Sequence, residues 1–279
     1  MKEEVILAIE IFQPFAQYRN PFTFEYAQTY PLPPKSTIIG MLQNALNDWY
    51  GNEYGIEKWW SLKISIHGGF ESVFWNYQQL IKGDINIDRL GRLSVYTEIG
   101  KDRKKEVLPL YNKGFRPNRS PTFQQELFNG HIYIFVKGES EFIEKIKKSL
   151  EFPEKVLYLG RSEDVVFIRK LEFVKAKKTK TLGRGFLLNY PMYIKLKEIP
   201  LLSKKYGVYS IPIRVIFENN EKPVSHKAEI DKLTKRDVKF EPVIYTSYKD
   251  AIRVKEKTEI EVFEFDEKEF KIPKESGWL

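Results

Sequence analysis

The 279-residue chain contains no cysteine. That excludes disulfides, thiolate zinc sites and cysteine nucleophiles. Histidine is scarce: His67, His131 and His226 stand far apart, and none has a metal-like spacing. There is no Gly-x-Ser-x-Gly elbow and no phosphate-binding Walker loop. No apolar run approaches the roughly 18 residues that span a bilayer. The opening "MKEEVILAIEIF" sets acidic residues on both sides of a short apolar run, which makes a poor secretory signal and a good first strand. These absences predict a cytoplasmic protein with no membrane partner, no cofactor and no metal.

Against that background, 42% of residues are hydrophobic, enough for a packed core. Abundant Lys and Glu without Cys lean towards a thermophilic source. The net charge is +8, and its placement is uneven. Residues 82–122 hold ten basic residues against five acids, and residues 169–184 hold seven against Glu172 alone. The rest of the chain is therefore slightly acidic. Basicity confined to two segments predicts a polyanion footprint, with lysine-rich solvated loops as the bland alternative.

Residues 5–12 read as a strand, followed by the aromatic-rich loop "QPFAQYRNPFTFEYAQTY". Helical spacing runs from Ile38 to Trp49, and "LKISIHGGF" and "SVFWNYQQLI" read as two strands. Residues 82–122 have little periodicity and read as a long excursion. "LFNGHIYIFVKG" reads as a strand entered through an Asn129-Gly130 turn. "SEFIEKIKKSL" reads as an amphipathic helix with Ser140 as N-cap, and "KVLYLGRSEDVVFI" as strand, tight turn, strand. This order, β-α-β, excursion, β-α-β, predicts an α+β fold: a ferredoxin-like, RRM-like domain with an insertion at about 82–122. Beyond residue 185 the pattern is mostly strands, so the expected domains are 1–184 and a small β-rich C-terminal module, 185–279.

Four segments carry candidate chemistry. In "YPLPPKSTIIGML", Pro31 and Pro33 hold the chain extended and Pro34 suits a helix start. The following helix puts Ile38, Ile39, Met41, Leu42, Ala45, Leu46 and Trp49 on one arc. Its other side, with Ser36, Gly40, Gln43, Asn44 and Asn47, has no charge. Gly40, Gln43 and Asn44 are therefore candidate partner-facing residues; the alternative is an ordinary buried helix with a tolerated glycine. "YLGRSED" presents Gly160, Arg161 and Ser162 in a turn suited to a phosphate, unless Arg161 simply pairs with Glu163 or Asp164. "AKKTKTLGRGFLLNYP" leads Lys180 into Gly183 and Arg184, followed by Phe186, a candidate base-stacking aromatic; a basic interdomain linker is the alternative. "YNKGFRPNRSP" starts like an RRM signature but has Arg116 where a small residue belongs. Lys113, Arg116 and Arg119 are expected to reach RNA backbone from a loop, without ordinary sheet-face stacking. Arg19, in the aromatic-rich loop, and Lys35 complete the candidate RNA contacts. A metal-independent RNase needs a base, an acid and a cation; Tyr30, Lys113 and His131 are candidates that nothing in the spacing brings together.

"TYPLPPKSTIIGMLQNAL", "YLGRSEDVVF" and the "SGWL" ending resemble a CRISPR-associated RAMP protein of family five, in the Tneap-like branch of type I systems. The order of segments fits over nearly the whole chain, and the Pro-Pro-Lys-Ser-Thr helix entry is its most specific part. The resemblance implies a subunit of a Cascade-like complex that grips the 5′ handle of crRNA. It implies contacts with a backbone subunit and a large subunit, with target DNA met only through the complex. The 82–122 excursion would be a thumb-like insertion. One branch of the family cleaves precursor crRNA with a Tyr, Lys and His set that does not map here residue by residue. The expectation is binding without catalysis, with a metal-independent endoribonuclease as the alternative.

Overall fold

The computed structural model describes residues 3–23, 26–82, 84–87, 93–99, 102–107, 118–183, 185–199, 201, 206–217 and 236–279. Contacts divide the chain into two units. The first comprises Met1–Asn20, Thr29–Val73 and Glu126–Leu279; the second comprises Pro21–Gln28 and Phe74–Gln125.

The first unit is organised by a sheet in which β1 (Glu4–Ala16) lies between β7 (Asn118–Glu139) and β8 (Phe167–Val174), both antiparallel to it. β3 (Lys63–Lys82) pairs with β7 on the far side. α1 (Lys35–Ala45) follows β1, the short α2 (Ile56–Ser61) precedes β3, and α3 (Ser140–Glu151) joins β7 to β8. β1 is a near-continuous apolar run because both of its faces are buried. Leu7, Ile9 and Ile11 pack with Ile38, Ile39 and Leu42 of α1 and with Phe142, Ile143 and Ile146 of α3. Ile6 and Ala8 point the other way, into a cluster with Phe135, Phe263, Phe265 and Phe270. Each such side chain contributes about 1.5–3 kcal/mol when fully buried.

The strands after β8 are β9 (Lys178–Leu182), β10 (Gly185–Leu188), β11 (Tyr193–Lys195), β12 (Val208–Phe217), β13 (Arg236–Tyr245), β14 (Asp250–Arg253), β15 (Thr258–Phe265) and β16 (Lys268–Pro273). They form three small antiparallel sheets, β10-β14, β11-β13-β12 and β16-β15-β9. Their residues cluster with the N-terminal half, because the β15-β16 hairpin supplies the cover for the outer face of β1 and β7. The second unit holds the two-residue β2 (Tyr26–Ala27), parallel to β7 at Phe123 and Gln124. It also holds the antiparallel set β4 (Asp84–Ile87), β5 (Leu93–Ile99) and β6 (Asp102–Val107).

Several local expectations change. The two strands expected at 62–70 and 72–81 are one strand, β3, of 20 residues. Within the excursion at 82–122, the described residues include the β4-β5-β6 set. Asn129-Gly130 makes no hairpin: Gln13 pairs with Gly130 and Phe15 with Phe128, so Asn129 (φ 56°) is an irregularity inside β7. Ser140 is the first residue of α3, and Glu139 is its N-cap. α1 ends at Ala45, so Trp49 leaves its expected arc and is exposed. The turn that ends α1 is held by buried Asp48, which accepts from Glu53 N–H (2.7 Å) and Trp59 Nε1–H (2.6 Å).

The proline stretch is a buried strap. Tyr30 and Leu32 lie in the core on the helix side of the sheet. Leu32 has no strand partner, and Tyr193 takes that place: its hydroxyl donates to Leu32 O (2.7 Å) and accepts from Leu32 N–H (3.0 Å). Prolines leave few backbone donors to satisfy here, which is why this segment tolerates burial.

Candidate nucleic-acid interface

The outer face of the sheet changes character along its length. Near Ile6 it is covered by the β15-β16 hairpin; further along β1 it carries exposed aromatic rings. Phe12 of β1 stands beside His131 of β7, with ring centroids 5.4 Å apart, and beside Phe167 of β8 at 6.3 Å. The Arg169 guanidinium lies over the Phe12 ring at 5.1 Å. At the end of β1, Phe15 and Phe128 form a second pair at 5.2 Å. Phe15, Phe128 and Phe167 are each 40–49% exposed, which is unusual for three phenylalanines on one sheet. Exposed rings with an arginine plane among them form a platform on which planar bases stack.

His131 also lines a cavity of about 290 Å³ with Phe70, Tyr133, Tyr190, Tyr245 and Tyr248. Two close approaches at glycines shape it, one by backbone and one by a ring. A Cβ on Gly68 (φ 105°) would meet His131 O at 2.1 Å, and one on Gly130 would meet the Phe70 ring at 2.3 Å. Burial pushes the Tyr133 and Tyr245 hydroxyls up to about 12, so both remain hydrogen-bond donors at neutral pH.

The expected turn at 158–165 is present, with Tyr158 bridged to Val165, but Arg161 faces acids. Its guanidinium donates to Asp164 Oδ1 (2.8 Å) and to Glu126 Oε1 (2.8 Å). Asp164 is 1% exposed and also accepts from the Arg161 and Gln17 backbone N–H groups at 2.9 and 3.0 Å. Gln13 closes the arrangement by donating to Leu159 O (2.7 Å). Gly160 (φ 116°) is required, because a Cβ would meet Asp164 Oδ2 at 2.8 Å and Gln17 O at 2.9 Å. The turn is thus a clamp on the end of β1. The ion-pair alternative describes Arg161 better than the phosphate expectation, because two carboxylates already fill its fork. Ser162 is exposed and donates to Glu163.

Other candidates fall in different places. Phe186 is buried among Leu188, Met192 and Ile252, so its ring is not offered for base stacking. Lys180 is exposed on β9, Gly183 is exposed just after it, and Arg19 is exposed at a bridge to Thr29. Lys35 is 7% exposed and donates to Trp60 O (3.1 Å), with Ser36 half-buried beside it. Lys113, Arg116 and Arg184 lie outside the described residues, and Arg119 is placed only as a position on β7. Of the catalytic candidates, Tyr30 is buried on the helix side and donates to Ser210 O (2.6 Å), whereas His131 is on the outer face; the sheet separates them.

The neutral side of α1 is partly covered by the chain itself. Gln43 is 6% exposed, and Asn44 donates to Val156 O (3.4 Å) in the segment after α3. Gly40 faces open space, with nothing within 4 Å of an added Cβ. The sequence missed Phe12 and Phe167 and counted Arg169 only as one of the basic residues of 169–184; which face stays uncovered depends on where the C-terminal hairpin lands.

An α+β fold with exposed aromatic rings and one arginine on a sheet face defines a candidate nucleic-acid-binding protein. The family described as CRISPR-associated protein (Cas_Cas5) matches residues 6–253, and the chain belongs to it. No curated protein matches. Among solved structures, one described as "CRISPR RNA-guided surveillance complex" is similar at 13% identity, over 90% of this chain and 91% of that one, with a TM-score of 0.46. Another, "Crystal structure of Cas protein", is 15% identical over 90% and 98%, with a TM-score of 0.43. A third, "Crystal structure of a CRISPR protein from Archaeoglobus fulgidus", is 13% identical over 96% and 98%, with a TM-score of 0.40. Among the described residues, no helix is long and apolar enough to cross a membrane.

Proposed function

We propose that the chain is the crRNA-binding subunit of a type I Cascade complex in antiviral defence. It caps the 5′ handle of crRNA without cleaving it, and contacts the backbone and large subunits. The family membership supports this reading, and one observation carries it at the level of residues: the Phe12, His131, Phe167 and Arg169 cluster, rings and a guanidinium exposed together on one sheet face. The strand neighbours β8-β1-β7-β3, joined by helices in β-α-β, β-α-β order, support a ferredoxin-like core. In this reading bases stack on that face. Arg19, Ser36, Ser162, Lys180, Gly183 and the basic residues Lys113, Arg116, Arg119 and Arg184 serve the sugar-phosphate chain. Gly40 faces a partner subunit.

The test is RNA retention by the complex reconstituted with its backbone subunit. Handle RNA should be preferred over random RNA, with steep weakening by salt as lysine and arginine contacts release counterions. Equal retention of both RNAs overturns the handle assignment. The endoribonuclease alternative gains its one support from His131 in an aromatic cavity. Repeat RNA incubated with the protein in EDTA addresses it: a discrete cut that His131→Ala abolishes would replace the binding-only reading.

A further inference from the structure

A second cavity, of about 490 Å³, is unlike the first. Five lysines line it (Lys35, Lys63, Lys137, Lys195 and Lys274), against the two acids Glu261 and Glu275. The lysines come from α1, β3, β7, β11 and the end of the β16 hairpin, so tertiary structure alone gathers them. Lys137 is further along β7 than His131, by about 20 Å of extended strand, so this is a separate place from the aromatic face.

Lys63 and Lys137 share Glu4 at 3.9 and 3.5 Å, Lys195 has Glu198 at 2.9 Å and Lys274 has Glu259 at 2.7 Å. Lys35 is the exception. It is the most buried of the five, its ammonium donates to a neutral carbonyl, and no ion pair involves it among the described residues. The charges that reach it, Lys195 and Arg214, are of its own sign. Arg214 is itself paired with Glu57, as Lys195 is with Glu198, so among the described residues Lys35 is the one of these three cations left without an acid. Lys35 is also the first residue of an 11-residue helix whose N-cap, Pro34, offers no side-chain acceptor and whose first turn has no acid. A buried cation with like-charged neighbours and no counter-ion is costly, and a multivalent anion offsets that cost. Lysines act as point charges for phosphate, and helix N-termini favour it.

We propose that this cavity binds an oligophosphate, supplied either by a free nucleotide or by the phosphates of an RNA strand, with Lys35 as its central contact. Its volume fits small-ligand sites rather than a single phosphate ion. The inference does not rest on the crRNA reading.

Titration calorimetry of the full chain with inorganic tripolyphosphate at low ionic strength is the test. Saturable binding is expected, weakened about tenfold or more by Lys35→Met, the worth of one charge-assisted hydrogen bond. Lys195→Gln, which also lines the cavity, should weaken it too, and Lys148→Gln, exposed on α3 and away from the lining, should leave it unchanged. Circular dichroism checks that each variant is folded. Displacement of bound tripolyphosphate by short RNA identifies the strand as the source, and ATP binding without RNA competition identifies the nucleotide; either supports the site. No saturable binding, or binding indifferent to both Lys35→Met and Lys195→Gln, overturns it. So does binding of an acidic peptide alone, which would make the cavity a protein-docking site.

Discussion

Arg161 and Asp164 form a closed pair: guanidinium to carboxylate at 2.8 Å, with the carboxylate 1% exposed and its oxygens also bonded to backbone N–H groups. Removing the arginine leaves that carboxylate and the buried Glu126 without this cation. Arg161→Gln should therefore lower stability by about 3 kcal/mol, the usual cost of breaking a buried pair. The urea midpoint reads this. RNA retention lost at unchanged midpoint would return Arg161 to phosphate binding.

Phe167 and Arg169 should matter for RNA and little for folding, since both sit on the uncovered face. Each alanine variant should weaken RNA retention by roughly 1–3 kcal/mol, the worth of one stacked base. A filter-binding series at fixed salt measures it. Unaltered affinity in both variants would place the RNA elsewhere.

Gly40 has no neighbour within 4 Å of an added Cβ, so alanine fits without strain. Gly40→Ala should raise stability by about 1 kcal/mol through helix propensity, seen as a higher melting temperature. Gly40→Lys should fold equally well yet impair assembly with the backbone subunit. Normal assembly would return this side of α1 to solvent.

Lys35 sets an alkaline pH dependence. Burial first, then the like charges Lys195 and Arg214, lower it to about 8. The groups around it are the Trp60 carbonyl and the cavity's Lys63, Lys137, Lys274, Glu261 and Glu275. Between the folded value of about 8 and the ordinary lysine value, the unfolded chain binds the extra proton, so stability rises with pH in that window. Lys35→Met should flatten the rise and add stability at neutral pH. Denaturant midpoints from neutral to alkaline pH test it, and an unchanged slope in the variant contradicts it.

His67 sets the acid side. It is 1% exposed between Phe135 and Phe270, and burial lowers it to about 3. Below the ordinary histidine range the unfolded chain takes up a proton that the folded chain refuses. Its contribution is intact at neutral pH and is lost progressively as pH falls towards about 3. His67→Gln should soften acid denaturation followed by fluorescence.

The sequence by itself determined the local elements whose signal is periodic. β1 is a run of apolar residues because both faces are buried, and α3 shows its buried stripe of Phe142, Ile143, Ile146 and Leu150 directly. It also placed the tight turn at Gly160 and the extended strap at Pro31 to Pro34. Tertiary structure decided what those pieces face. Arg161 reads either as a phosphate contact or as the partner of Glu163 or Asp164; the buried Asp164, together with Glu126, 35 residues away, decides for the ion pair. Phe186 reads as an exposed ring until β14 pairs over it. Phe12 and Phe167 become a surface only because the C-terminal hairpin covers one end of the sheet and stops short of the other. The five cavity lysines carry no pattern in sequence, since charge, unlike hydrophobic period, has no local geometry that announces its partners.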